Sequence, residues 1–216
     1  MGMKGVSPIA VLALLVVGLL GIAAMAAYIQ LAAVPTVVEY EGEFDDVYLA
    51  TKGPFYSDFS EQVDANISND VLTATYRTLV ALNATANSAV NSRDYVLALA
   101  IDIDGAVKNM EISGKLGNGV ASTGDPANDM VIKSVQLWTH EDNPRLVADL
   151  TKYIEDQIEI DAETGVLEKD TYVLEIVFHS KVISPDFTTG DDLMKLELEL
   201  DTDGDVDTAQ ITIESA

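Results

Sequence analysis

The spacing of polar positions divides this chain into two unlike parts. Residues 5–38 hold no charged side chain, and from Val6 to Val34 apolar residues and glycine are interrupted by Ser7, Pro8, Tyr28 and Gln30 alone. Such a run predicts a helix about 43 Å long at the α-helical rise, more than a bilayer core requires. Ala10, Ala13, Gly18, Gly21, Ala24 and Ala27 recur along it at spacings that let apolar helices approach closely. Pro35 ends or bends that helix near Ala33, because its ring removes a backbone donor and clashes with the preceding turn.

After Val38 the pattern changes to a period of two. Short strands are expected within residues 36–50, around an acidic turn at Glu41 to Asp46, and longer ones over Val71–Leu82 and Tyr95–Ile103. Asp104-Gly105 reads as a tight hairpin into a strand at Val107–Ser113, and Gly114 to Asn128 as an exposed loop. Met130–Thr139 alternates again and carries Trp138, the lone tryptophan, as an apolar anchor. In Thr171–Ser180, the side chains of Tyr172, Leu174, Ile176 and Phe178 share one face. In Leu193–Leu200, Leu196, Leu198 and Leu200 oppose Lys195, Glu197 and Glu199. Ala209–Glu214 closes the series.

One stretch beyond the first run has helical spacing. Asn143 suits a cap and Pro144 a first helical position, and Leu146, Val147, Leu150, Tyr153, Ile154 and Ile158 recur as an amphipathic helix would place them. Together these elements predict a mostly β protein: an antiparallel β-sandwich over residues 39–216 with one amphipathic helix, preceded by a long hydrophobic helix over residues 6–38.

Composition narrows what such a protein does. The chain of 216 residues carries 36 acidic against 12 basic side chains, a net charge of -24. A surface of that sign repels nucleic acid and anionic headgroups, so nucleic acid is excluded as a partner. The absence of cysteine removes disulfides, thiol nucleophiles and iron–sulfur ligation. Nucleophile elbows, phosphate-binding glycine loops, dinucleotide fingerprints and metalloprotease helices are likewise absent from the sequence, and no enzyme activity is expected.

The densest acidic feature is Asp201, Asp203, Asp205 and Asp207, spaced by two around Gly204. Hard cations take several carboxylate oxygens, so calcium is the one cofactor this pattern admits. It matches the first three ligand positions of an EF-hand loop, but Val206 and Thr212 stand where that loop needs glycine and glutamate. A hairpin turn at Asp203-Gly204 explains the same residues. Asp102 and Asp104 share a face if their strand continues, and otherwise form a solvated strand end. His140 falls in a polar turn and His179 on the wet face opposite Phe178. Asn66-Ile67-Ser68 and Asn83-Ala84-Thr85 are glycosylation acceptor patterns, meaningful at Asn66 and Asn83 if the domain lies outside the cell.

Lys4-Gly5-Val6-Ser7-Pro8-Ile9 at the head of the uncharged run resembles the processing site of archaeal type IV pilins, in which a short basic leader ending in Gly precedes an aliphatic residue, Ser-Pro and a long hydrophobic helix. The resemblance covers about the first 35 residues. It implies a leader over residues 1–5, cleavage between Gly5 and Val6, membrane residence before assembly, and a filament of identical subunits at the cell surface with the sandwich facing out. A second pattern stays open beside it. Ala24-Met25-Ala26 is a small-x-small site, and cleavage between Ala26 and Ala27 would leave an extended segment at Ala32–Tyr40. That product resembles camelysin-like fibre subunits and archaeal bundling pilins, which are secreted and joined by a donated strand. A monomeric, membrane-anchored surface or cation-binding domain is the third expectation.

Overall fold

The computed structural model describes residues 39–50, 53–68, 71–78, 93–117, 130–180, 192–204 and 206–214, without side chains at 61–68, 78, 93 and 180. The leader, the hydrophobic helix, both processing sites, Asn83 and Asp205 lie outside these residues. Residues 39–216 form one compact unit. Among the described residues no helix is long and apolar enough to cross a membrane.

Among the described residues twelve strands run in chain order: β1 Phe44–Leu49, β2 Phe59–Ser68, β3 Val71–Thr78, β4 Arg93–Ile103, β5 Asn109–Leu116, β6 Met130–Thr139, β7 Leu146–Asp149, β8 Ile154–Glu155, β9 Glu159–Glu163, β10 Asp170–Ser180, β11 Asp192–Asp201 and β12 Val206–Glu214. They build a five-stranded sheet, β1-β4-β10-β6-β7, and a seven-stranded sheet, β2-β3-β12-β11-β5-β9-β8. The alternation seen in sequence decides which residues meet between them. Leu97, Leu99 and Ile101 of β4, with Leu174, Ile176 and Phe178 of β10, point to the same buried cluster as Leu196, Leu198 and Leu200 of β11 and Ala209, Ile211 and Ile213 of β12. Two apolar faces bury one another, which is the energetic reason for a sandwich.

Among the described strands the pairing is antiparallel with one exception. β12 runs parallel to β3, Thr208 opposite Val71 and Glu214 opposite Arg77, so the larger sheet is mixed and not wholly antiparallel as expected. The hairpin at Asp203-Gly204 is present, joining β11 to β12 with Asp201 opposite Val206. Asp104-Gly105 is different: it carries the chain from β4 in one sheet to β5 in the other. Glycine is needed there for approach and not for a hairpin, because a Cβ on Gly105 would stand 2.9 Å from Gly42 Cα.

The amphipathic helix expected over residues 143–158 is absent. Its place is taken by β7, a 3-10 turn at Thr151–Tyr153 and β8. This segment bridges the edge of one sheet to the edge of the other, and pairing overrides a helical spacing too short to be stable alone. Leu150 alone of the two leucines turns inward and is buried, its amide donating to Val135 O at 2.9 Å. Thr151 fixes the crossing, its hydroxyl lying 3.3 Å from both Val135 N and Val135 O. Asp156 and Gln157 follow with φ of 48° and 64°, a left-handed pair that ends any helical course.

The four sheet edges are irregular or very short. Register shifts interrupt the pairing of β1 between Phe44 and Asp46, of β2 between Gln62 and Asn66, and of β7 opposite Leu137 and Trp138. β8 has two residues. Bulges and short edges are how sheets avoid pairing with another chain.

Trp138 anchors a small second cluster instead of the main core. With Tyr48 and Phe55 it packs over Ala50, Ala98, Ala100 and Val173 on the outer face of the five-stranded sheet. His140 is buried beside it, its ring centroid 6.2 Å from that of Tyr48 and 6.5 Å from that of Phe55.

Candidate functional site

The segment that enters the domain is clamped by three aspartates. Asp203 and Tyr40 exchange contacts, Tyr40 N donating to Asp203 Oδ2 at 3.2 Å and Asp203 N donating to Tyr40 O at 2.9 Å. Glu43 N donates to Asp104 Oδ1 at 2.9 Å, and Phe44 N donates to Asp207 Oδ2 at 2.7 Å. Gly42 N donates to Ala106 O at 3.1 Å, possible because neither Gly42 nor Gly105 has a side chain to separate the two backbones. The Lys108 ammonium lies 2.9 Å from Asp203 Oδ1 and donates to Thr202 O at 2.8 Å, tying the β11–β12 turn to the start of β5. The hydrogen bond from Lys108 holds the Asp203 carboxyl below its ordinary range, with the Tyr40 amide adding to the effect.

These contacts line an open depression of about 930 Å³ between residues 40–44 and the turn, with Glu41, Glu43, Asp203 and Asp207 on its walls. Of the four aspartates read in sequence as a cation pattern, Asp203 and Asp207 hold the entry segment. Asp203 takes a lysine and a backbone amide, and Asp207 takes another amide. Asp201 sits at the strand end opposite Val206. Among the described residues no group of three or more histidine or carboxylate ligands gathers for a metal.

Asp102 and Asp104 do not form a working pair. The Thr171 hydroxyl donates to Asp102 Oδ1, while Asp104 belongs to the clamp. His179 lies on the outer face as expected, its Nδ1 2.6 Å from Asp94 Oδ1, and Lys133 Nζ lies 2.6 Å from Asp94 Oδ2. Hydrogen bonds from Lys133 and then His179 lower the Asp94 pKa. Asn66 lies on edge strand β2, opposite Thr73.

A second acidic feature is built by pairing across strands. On the outer face of the larger sheet, Glu199 of β11 stands directly opposite Glu111 of β5, and Glu111 opposite Glu163 of β9. Asp161 and Glu197 flank this row, both in register with Ser113. Burial first, then the charges of Glu163, Glu199, Asp161 and Asp201, push the Glu111 pKa up. Sequence reading put Glu197 and Glu199 on one wet face but missed the row. Its signal, the alternating acids of Glu159-Ile160-Asp161-Ala162-Glu163, has meaning only once β9 is known to pair with β5.

No protein-family model matches this chain, and no curated protein matches it. Among solved structures it is similar to a von Willebrand factor type A protein from Catenulispora acidiphila, at 14% identity and TM-score 0.35 over 52% of this chain and 24% of that one. It is similar also to ACE19, the collagen-binding subdomain of the Enterococcus faecalis surface protein ACE, at 9% identity and TM-score 0.33 over 73% of this chain and 98% of that one. A third likeness is to the CFA/I enterotoxigenic E. coli adhesin CfaE, at 9% identity and TM-score 0.28 over 79% of this chain and 48% of that one. TM-scores this low carry no argument about what this chain does.

Proposed function

We propose that this chain is the structural subunit of an extracellular, pilus-like filament, assembled through residues 6–38 with the acidic sandwich facing outward. The observation that carries the reading is the uncharged run over residues 5–38, headed by Lys4-Gly5-Val6-Ser7-Pro8-Ile9 and followed directly by a domain with its own core. A run of that length is stable in lipid or against copies of itself, where burial contributes about 25 cal/mol per Å² of apolar area. In this reading the subunit waits in the membrane, loses residues 1–5, and then joins a homopolymer without catalysis.

Two properties of the domain support assembly through the run over assembly by strand donation. Its sheet edges are bulged or two residues long, and its net charge disfavours close packing of sandwich on sandwich across the acidic row. The clamp of Asp104, Asp203 and Asp207 also fits this role, since it fastens the first residues after the run to the body of the domain.

Electron microscopy and intact mass of the cell-surface protein test the proposal together. Filaments whose subunits begin at Val6, and which are lost when residues 1–38 are deleted, are the expected result. A mature start at Ala27, or filaments formed by the deleted chain, would overturn it.

A further inference from the structure

Asn66-Ile67-Ser68 lies on β2, the outermost strand at one end of the seven-stranded sheet. At ten residues β2 is the longest of the four edge strands, and its pairing with β3 is irregular between Gln62 and Asn66. Regular pairing resumes at the motif itself, with Asn66 opposite Thr73, Ile67 opposite Leu72 and Ser68 opposite Val71. Leu72 is buried in the core, so the period of two puts positions 66 and 68 on the outer face of the sheet and position 67 on the inner one. The acceptor asparagine and the hydroxyl its pattern requires therefore share one side of an extended edge, beside the turn into β3.

The surroundings of this motif show what an attached group would do. An edge strand presents a row of backbone donors and acceptors to any passing chain, and sheets guard it with charge, proline, a bulge or brevity. Residues 66–68 have none of these guards: they are regularly paired, uncharged and free of proline. The next positions across the outer face are uncharged too, Thr73 of β3 and then Gln210 of β12, and the first charge met along that row is Glu197 of β11. In a chain of net charge -24 this corner is left without electrostatic protection. A bulky, hydrated chain attached at position 66 supplies protection of another kind.

We propose that Asn66 is an N-glycosylation site whose carbohydrate shields the β2 edge from neighbouring copies of this chain. The donor is a sugar carried on a lipid phosphate. The Asn66 amide nitrogen bonds to the anomeric carbon of that sugar, the bond from the carbon to the phosphate oxygen breaks, the lipid phosphate leaves with the electron pair, and the amide gives up one proton. This rests on the filament reading, in which the uncharged run first holds the domain at a membrane, where such a donor resides, and later holds many copies at high effective concentration. Those are the conditions under which an unguarded edge pairs with a neighbour's.

The sequence makes the site easy to read. Trypsin cuts after Lys52, Arg77 and Arg93, so Asn66 falls in the peptide 53–77 and Asn83 in the separate peptide 78–93. Mass spectrometry of these peptides is applied to the full chain recovered from the surface of the cells that make it. Peptide 53–77 is expected to carry a mass increment that yields sugar fragment ions. The increment should persist in Ser68→Thr, which keeps the hydroxyl, and vanish in Asn66→Gln and Ser68→Ala. A bare 53–77 peptide from the unaltered surface protein, or an increment that survives Ser68→Ala, would overturn the site. Electron microscopy then reads the shielding: Asn66→Gln filaments should gather into lateral bundles, and Asn66→Lys, which puts a charge at the same edge position, should keep them apart. Asn66→Gln filaments as dispersed as the unaltered ones would overturn the shielding role. Filaments whose 53–77 peptide is bare reject the modification alone; a modified peptide on a surface protein that forms no filaments rejects the filament reading alone.

Discussion

Substituting Gly42 tests whether the entry segment is held by backbone proximity. A Cβ at Gly42 would lie 2.6 Å from Gly105 O and 2.7 Å from Val107 Cγ1, against an ordinary contact that begins at 3.4 Å. The obstacle is mainly backbone, so relief requires residues 41–43 and 104–106 to part by several tenths of an ångström. That separation weakens the bonds from Gly42 N to Ala106 O and from Asp104 N to Glu43 O, which are 3.1 and 3.2 Å long. Overpacking of this kind costs about 1–3 kcal/mol, and each weakened bond adds up to about 1 kcal/mol. Gly42→Ala should therefore destabilise the domain by about 2–4 kcal/mol, lowering Tm by about 5–15 °C at this chain length. Two other glycines calibrate the measurement. A Cβ at Gly204 meets nothing within 4 Å, so Gly204→Ala should be neutral within about 0.5 kcal/mol. Gly165 is equally open but has φ of +81°, so Gly165→Ala should cost about 1–2 kcal/mol from backbone strain alone. Thermal unfolding followed by circular dichroism ranks the three. If Gly42→Ala melts with the unaltered protein, or Gly204→Ala is equally harmful, the backbone clamp is not what the distances imply.

The acidic row should be a liability in dilute buffer: Glu111→Gln is expected to stabilise by about 0.2–1 kcal/mol, less at high salt, and urea midpoints that do not rise would refute the repulsion. Stability should climb as pH falls from neutral, because Glu111 and Glu175 have folded pKa values raised above 4.5 and bind protons more readily folded than unfolded. It should then decline below 3.8, where Asp94 and Asp203, whose folded pKa values are depressed, lose their bonds to Lys133 and Lys108. A melting temperature that falls steadily from neutral pH would contradict that order. Gln157→Gly should raise stability by about 0.5–1 kcal/mol by relieving a left-handed φ of 64°, after allowance for the entropy of glycine; a lower urea midpoint would show that the side chain is needed.

The strands were legible wherever one face of the sheet is apolar and the other wet. Leu196, Leu198 and Leu200 could be assigned to the core from alternation alone, and so could Tyr172 to Phe178. What failed depends on partners distant in sequence. The spacing of Leu146, Leu150 and Tyr153 is as compatible with a helix as with a bridge between sheets, and only the pull of Val135 on Leu150 and Thr151 decides. Asp-Gly at residues 104–105 signals tight backbone whether it turns a hairpin or presses against Gly42. Asp203 and Asp207 accept from the amides of Tyr40 and Phe44, each 163 positions away, a duty that no local spacing announces.

The parallel pairing of β3 with β12 constrains the order in which this domain is made. β12 contributes the last described residues, yet it lies inside the larger sheet, hydrogen-bonded to β3 on one side and β11 on the other. Strands β2 and β3 therefore have no place to dock while the chain is still being synthesised, and the pairing of Val71 with Thr208 closes a loop spanning most of the domain. Contacts of such long range are slow to form. A nascent chain that stops short of Val206 should stay open to protease, and one that includes β12 should become resistant in one late step. Of the described strands β12 is made last, so the larger sheet stays unlocked until every other described strand has been synthesised.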